Sequence, residues 1–492
     1  MKALSLDALG EDVLCLVALA VSSSPGMLKM YSQISPRTRS ACFAKLFASV
    51  RLPPRITISG RREAPPATIR ALVRELTYSS RAPEYEGFGW ELDFFPYLVS
   101  IRFAAQPGYC PVPWRAIKTC IAHPNISSIC FLHCLPVVDI DGVSEEEIPS
   151  TSLTDLSCIP YVWRDVLYFF DRGDVSSEHV AEAESLMLLV PPMSRLARHL
   201  DLPLETAPLR QMAAHSWPAL RELHLSGRYL SPDQMGYLPA MLLNLPDRLP
   251  SLLHLSILAS PPAGVDRAPV LGRLSSLIYL PQLQSLALSY PDPDDVICSI
   301  QAPNLIHLSL RDWPRYYYPL YFPEALTSHM GCPILSSTEC LLILKRMSAS
   351  TRLERLELVY EADDAENDLL CHITSAYPHI WSVELHRYRK ESNVAVPHEQ
   401  IAQRLATMKW LQRVRLNLDF PETTGPLCDS GEAIDRWTAR FLPVGRQIMA
   451  ILHAACPMLV ALEMLKQNDT RPVWTKFYPV REPSLYSVDL EW

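Results

Sequence analysis

Pro218-Ala219-Leu220-Arg221-Glu222-Leu223-His224-Leu225 is followed by Pro250-Ser251-Leu252-Leu253-His254-Leu255-Ser256-Ile257, then Pro281-Gln282-Leu283-Gln284-Ser285-Leu286-Ala287-Leu288, then Pro303-Asn304-Leu305-Ile306-His307-Leu308-Ser309-Leu310. The shared phrase is Pro-x-Leu-x-x-Leu-x-Leu. Its last two apolar residues alternate with polar ones, as in a strand with one face buried. The leading apolar residue belongs to the turn into that strand. The Pro fixes φ and holds the residue before it extended, which helps to end a preceding helix. One such unit cannot bury its own apolar face, but a stack of them makes a continuous core.

Outward from these four, eleven copies run through the chain. Their first apolar residues are Leu98, Ile126, Leu220, Leu252, Leu283, Leu305, Leu353, Ile380, Leu411, Leu459 and Leu485. Nine of the eleven have Pro two positions earlier; Thr351 and Lys409 stand there in the other two. Most neighbouring copies lie roughly 20–30 residues apart, close to a known repeat period. The long interval after Ile126 predicts weaker units inside it: Leu153-Leu156-Cys158 first, Met193-Leu196 second. Between the phrases, 177–190, 337–347, 363–376 and 397–408 read as helices. Pro397 is placed at a first helical position. Residues 432–455 read as one or two helices, interrupted near Pro443 and Gly445.

The composition supports a large ordered core. Of 492 residues, 48% are hydrophobic and 20% charged, too apolar for a disordered chain. The net charge of −8 and the lack of any Lys/Arg run argue against a nucleic-acid partner. Thirteen cysteines without a tight framework read as reduced and mostly buried, which places the protein in the cytoplasm or nucleus. No apolar run reaches the ~18 residues that span a bilayer. Val13–Val21 has the length of a signal-peptide core, but Asp7, Glu11 and Asp12 precede it where positive charge is needed.

Residues 1–52 have another texture. Leu6, Leu9, Val13, Leu14, Val17 and Val21 form a helical stripe. A break at Ser22-Ser23-Ser24-Pro25-Gly26 follows, then a second apolar turn at Met27, Leu28, Met30, Tyr31 and Ile34, then a third helix over 37–47. The expected organisation is therefore a helical module at 1–52 and a repeat array at 53–492. The fold class is α/β, with parallel strands alternating with helices and loops.

The repeat phrases resemble leucine-rich repeats of the irregular kind found in fungal F-box proteins, over about residues 90–492. The Asn or Cys usual eight residues after the first Leu is replaced by Arg228, Ser260, Pro291, Trp313 and Glu361. Residues 1–52 resemble an F-box. The matching positions are Leu9, Glu11-Asp12-Val13-Leu14, Val17 and Val21, Met27-Leu28-Lys29-Met30, and Ile34-Ser35. Gly10, Pro36 and Thr38 depart from the pattern, Thr38 standing for a bulky aromatic. The resemblance implies docking on a Skp1-like adaptor of a cullin complex through Leu9, Val13, Leu14, Val17, Leu28 and Ile34. It also implies a non-catalytic subunit that presents a target protein for ubiquitin transfer. The alternative is a repeat scaffold whose N-terminal helices act only as a cap.

No nucleotide loop, H-E-x-x-H or G-x-S-x-G motif occurs, and neither a cofactor nor a metal is expected. Cys110, Cys120, His123, Cys130, His133 and Cys134 cluster without the close thiolate pairs of a zinc site. The acidic groups Asp292, Asp294, Asp295 and Asp363, Asp364, Glu366, Asp368 read as solvated loops or a helix start. The strand face opposite the core is the remaining place for function. It should carry Glu222, His224, His254, His307, Arg311, Arg355, Glu357, Glu384, His386, Arg413, Arg415, Asn417 and Glu463. Arginine and aromatics are the residue types that dominate protein interfaces. The expected target-binding set is therefore Arg311, Trp313, Tyr316, Arg355, Glu357, Glu384, His386, Arg413 and Arg415.

Overall fold

Each described phrase becomes a short strand that begins two residues after its first apolar residue. The structure is a computed structural model. It describes residues 9–52, 65–79, 88–104, 110–137, 151–159, 177–230, 232–242, 245–261, 265, 267–273, 278–311, 334–391, 394–420, 431–466 and 473–479. These fall into two units, one up to Pro208 and one from Leu209. The Leu485 repeat, Leu6, Trp313 and Tyr316 lie outside the described residues.

The first unit opens with three helices, α1 (Glu11–Val21), α2 (Pro25–Ser32) and α3 (Pro36–Leu46). Parallel strands follow: β1 (Ser49–Leu52), β2 (Glu75–Ser79), β3 (Ser100–Ala104), β5 (Ser128–Leu132), β7 (Asp155–Ile159) and β8 (His199–Pro203), each paired with the next. A separate parallel pair, β4 (Cys110–Pro113) and β6 (Cys134–Val137), stands beside them. In the core, Tyr78, Phe103 and Phe131 hold one register position on β2, β3 and β5. The Phe103 and Phe131 rings stack at 5.6 Å. Aromatic neighbours of this kind add ~0.5–1.5 kcal/mol to their burial.

The second unit is a parallel stack of β9 (Glu222–Arg228), β10 (His254–Ser260), β11 (Ser285–Ser289), β12 (His307–Arg311), β14 (Arg355–Ala362), β15 (Ser382–Arg389), β16 (Arg413–Asn417) and β17 (Ala461–Lys466). The short β13 (Leu335–Ser336) pairs with the end of β14. The last strand among the described residues, β18 (Val473–Phe477), pairs antiparallel with β17, which the repeat pattern did not predict. Its residues carry no copy of the phrase. Helices alternate with these strands, so each unit is an α/β stack of the leucine-rich-repeat type. Leu223, Leu225, Leu255, Ile257, Leu286, Leu288, Leu308 and Leu310 are all buried. Each such side chain contributes about 1.5–3 kcal/mol by leaving water.

A repeated backbone device sets the register. One carbonyl accepts from two successive N–H groups of the following repeat. Arg221 O takes Leu253 and His254, Leu253 O takes Gln284 and Ser285, and Gln284 O takes Ile306 and His307. The missing Asn ladder is replaced by another, one residue after the Pro. Asn125 donates to Pro96 O at 2.8 Å, Ser251 to Pro218 O at 2.7 Å and Asn304 to Pro281 O at 2.8 Å. These bonds give turn carbonyls of one repeat a donor from the next.

Several expectations change. In the long interval, β7 forms at Leu153-Leu156-Cys158 as expected. The second unit there is not at Met193-Leu196, which is a 3₁₀ turn and its exit, but at β8. Its first apolar residue is Ala197, which is too small to signal a repeat. Helix Gly431–Ala455 runs unbroken through Pro443. Pro397 caps the helix His398–Leu405 from outside instead of starting it. Asp295 is not solvated: it is 2% exposed and accepts from the N–H groups of Val270, Leu271, Gly272 and Ile297. Its carboxylate ties residues 270–272 to a neighbouring repeat. Among the described residues, no helix is long and apolar enough to cross a membrane.

Candidate functional site

The helical module buries one side of α1 and leaves the other apolar and open. Leu14, Ala18, Leu28, Tyr31 and Cys42 form its core, with Leu9, Val17 and Val21 packed against it. Ser35 opens α3 with a capping box: Ser35 Oγ accepts from Thr38 N at 3.2 Å, and Thr38 Oγ1 accepts from Ser35 N at 2.9 Å. Thr38 therefore works as a cap in place of a large apolar contact.

The expected adaptor residues separate accordingly. Leu14 and Leu28 are interior residues that hold the helices together, so they are not surface contacts. Leu9 and Val17 are half-buried. Val13 and Ile34 are exposed, at 42% and 56%. The outward face holds larger residues that the expected docking set did not include. Leu16 and Leu19 join Val13 on α1, and Met27 and Met30 precede Ile34 at helical spacing on and after α2. A helix that is apolar on its outer face as well as its inner one is the usual mark of a partner surface. The signal was present in the sequence, because α1 reads Glu-Asp-Val-Leu-Cys-Leu-Val-Ala-Leu-Ala-Val.

In the second unit, the strand register brings the expected face residues together in rows. The first row is His254, Ser285, His307, Arg355, Ser382, Arg413 and Ala461, across β10, β11, β12, β14, β15, β16 and β17. The second row is Ser256, Ala287, Ser309, Glu357, Glu384, Arg415, Glu463 and Lys476. The third includes Arg311, His386, Asn417 and Trp474. The face is not uniformly open. Arg355 and Arg413 on the first row are exposed, whereas Glu357, His386, Asn417 and Glu463, deeper along β14 to β17, are buried.

The second and third rows form an ion-pair ladder. Arg311 donates to Glu357 Oε2 at 2.6 Å, and Ser309 donates to the same oxygen at 2.7 Å. Arg415 donates through Nε to Glu463 at 2.5 Å and through Nη1 to Glu384 at 3.4 Å. His386 Nε2 and Glu384 Oε1 are 2.9 Å apart. Trp474 of β18 closes the end: the Arg415 guanidinium lies 5.0 Å over its ring, and the His386 ring meets it edge-on at 5.8 Å. Burial pushes the Glu357 carboxyl up; Arg311 pulls it back and Glu384 adds to the rise. His307 is lowered to about 4, by burial first and then by Arg355, Arg311 and His254.

Glu357, Glu384 and His386 also bring three ligand atoms within 4.8 Å of one another. Both carboxylates already accept from guanidinium groups, so their charge is committed to Arg311 and Arg415. The donor set therefore reads as an ion-pair ladder and not as a metal centre. Of the Cys/His cluster, Cys120 is buried in helix Trp114–Ala122, Cys130 lies in β5 and Cys134 in β6.

No family model matches the chain, and no curated protein matches it. Among solved structures it is similar to the leucine-rich repeat-containing protein LegL7 from Legionella pneumophila, with 12% identity, a TM-score of 0.29, and 83% of this chain and 94% of that chain covered. It is also similar to a chain in the crystal structure of the Rad7 and Elc1 complex in yeast, with 11% identity, a TM-score of 0.36, and 82% and 88% covered.

Proposed function

We propose that the protein is a non-catalytic recognition subunit of a Skp1–cullin–F-box type ubiquitin ligase. Residues 1–52 form the adaptor-docking module and residues 53–492 the array that holds a target protein. The observation that carries the reading is the outward apolar face of α1 and α2. Leu16 and Met30 are 64% and 63% exposed, on a module that already has its own closed core. An apolar, water-facing surface of this kind marks an interaction site. The order of apolar residues along 9–35 adds the resemblance to an F-box.

The test is co-expression of the full chain with a Skp1 protein. Retention of Skp1 by the wild type, and its loss in Leu16→Asp and Met30→Asp with an unchanged melting temperature, is the expected outcome. Wild-type protein that fails to retain Skp1 would sink the adaptor claim.

One observation favours the second reading, a scaffold with a helical cap. β1 follows α3 directly and pairs with β2, so the module sits at the edge of its strand stack, where a cap belongs. Removing residues 1–47 separates the two. A cap deletion exposes the β1 edge and aggregates; an adaptor deletion leaves a soluble array that has lost only Skp1.

A further inference from the structure

We infer that the first row of the open face binds an acidic, extended peptide segment, gripped by Arg355 and Arg413. This rests on the reading of the strand face as the target surface and specifies the chemistry of what it takes. Three observations carry it.

The first is charge. Over the first three rows from β10 to β18, the cations are Arg311, Arg355, Arg413, Arg415 and Lys476, and the carboxylates are Glu357, Glu384 and Glu463. This part of the face is thus positive on a chain whose net charge is −8, whereas β9 adds the carboxylate Glu222 to the first row. A local reversal of sign against the whole molecule favours an anionic partner and repels cationic ones.

The second is which cations remain available. Arg311 and Arg415 are held by Glu357 and Glu463 at 2.6 and 2.5 Å. Among the described residues, Arg355 is exposed and makes no ion pair. Arg413 is 47% exposed, and among the described residues the carboxylate it approaches, Glu463 at 3.6 Å, is already taken by Arg415.

The third is spacing. Arg355 and Arg413 occupy one register position on β14 and β16, with Ser382 of β15 between them. Two strand spacings separate them by about 10 Å. A peptide extended as polyproline II has three residues per turn and rises about 9 Å over them, so residues i and i+3 point to the same side. The row therefore fits two carboxylates at positions i and i+3, with the Ser382 hydroxyl between them as a donor. Glu357, His386, Asn417 and Glu463 of the deeper rows are buried, so a segment laid across β14 to β16 meets Arg355 and Arg413 first.

The test uses the full chain and a fluorescein-labelled proline-rich peptide, extended as polyproline II, with Glu at two positions three apart, read by anisotropy at low salt. The same peptide with Gln at both positions, an oligolysine and an oligothymidylate serve as comparison probes. The Glu peptide should bind, the Gln peptide should bind at least about tenfold more weakly, and Arg355→Gln with Arg413→Gln should lose about tenfold or more at an unchanged melting temperature. Raising the ionic strength should weaken the wild-type complex further. Equal binding of the Glu and Gln peptides, no binding of either, or undiminished binding by the double variant would each overturn the proposal. Tighter binding of the oligothymidylate than of the Glu peptide would overturn it in favour of a nucleic-acid surface. Skp1 retention measured on the same wild-type sample separates this outcome from the adaptor reading, because the peptide assay contains no Skp1.

Discussion

Arg415 donates through Nε to Glu463 at 2.5 Å, and the two residues stand opposite one another at one register position of β16 and β17. Glu463 is 7% exposed and serves three cations, since Arg413 and Lys476 lie at 3.6 and 3.8 Å. The residue on the deeper side of the pair is thus the anion, and the cations around it reach toward solvent.

Loss of Glu463 should therefore cost more than loss of any one of its partners. Glu463→Ala leaves Arg415 partly buried without its main partner and should destabilise the protein by about 2–4 kcal/mol. Arg413→Ala, at an exposed site, should change stability by under about 1 kcal/mol. Urea unfolding of the two variants checks the order; equal effects would show that the ladder is not centred on Glu463.

The edge strand β18 depends on a glycine. A Cβ on Gly445 would run into the Phe477 ring, which also packs on Phe441 at 5.8 Å. Gly445→Ala should raise helix propensity by ~1 kcal/mol yet destabilise overall, because overpacking costs about 1–3 kcal/mol. Displacing Phe477 also moves Trp474 off Arg415 and His386. A red shift of tryptophan emission in Gly445→Ala that disappears in Gly445→Ala with Phe477→Leu is the expected signature.

Asp201 and His307 should give opposite pH slopes. Burial raises the Asp201 carboxyl to about 6, against the attraction of His199. The folded state therefore holds a proton that the unfolded chain has released between about pH 4 and 6, so this contribution to stability falls as pH rises through that window. Asp201→Asn should stabilise the protein at pH 8 by about 1–3 kcal/mol. His307, lowered to about 4, is uncharged in the folded state where the unfolded chain is protonated. Its contribution is complete above about pH 6.5 and is lost as pH falls toward 4. His307→Gln should flatten that acid limb in chemical denaturation measured from pH 4 to 8; an unchanged limb would place the titrating group elsewhere.

In the helical module, core and surface should separate cleanly. Leu14→Ala empties a fully buried site and should cost about 2–5 kcal/mol, opening 9–52 to limited proteolysis. Leu16→Asp, two residues on but outward, should leave the proteolysis pattern unchanged. The same cleavage pattern in both variants would show that the module has no independent core.

The strands were legible because their cause is local. A Pro to end the preceding segment, an apolar residue to seat the turn and two alternating apolar residues to face the core are all written within eight positions, and β9 to β12 start where those positions place them. β8 was not legible because Ala197 fills the turn seat with too little apolar volume to register as a repeat. β18 was missed because it belongs to no repeat; its place is set by Phe477 meeting Gly445, contacts made across a long stretch of chain. The F-box match gave the order of apolar residues along 9–35, but an apolar residue on a helix looks the same whether it faces the core or solvent. Leu14 and Leu16 are distinguished only by how α1 is rotated against α2 and α3.

The sequence by itself determined the period, the strands and which side of each strand is apolar, since backbone propensity and the burial of alternate residues act over a few positions. Only the tertiary structure decided which polar residues remain available to a partner. The register of β12 to β18 closes Glu357, His386 and Glu463 into a buried ladder and leaves Arg355 and Arg413 at its exposed margin. That choice comes from distances between strands tens of residues apart, and charge pairing at those distances is a property of the packed sheet.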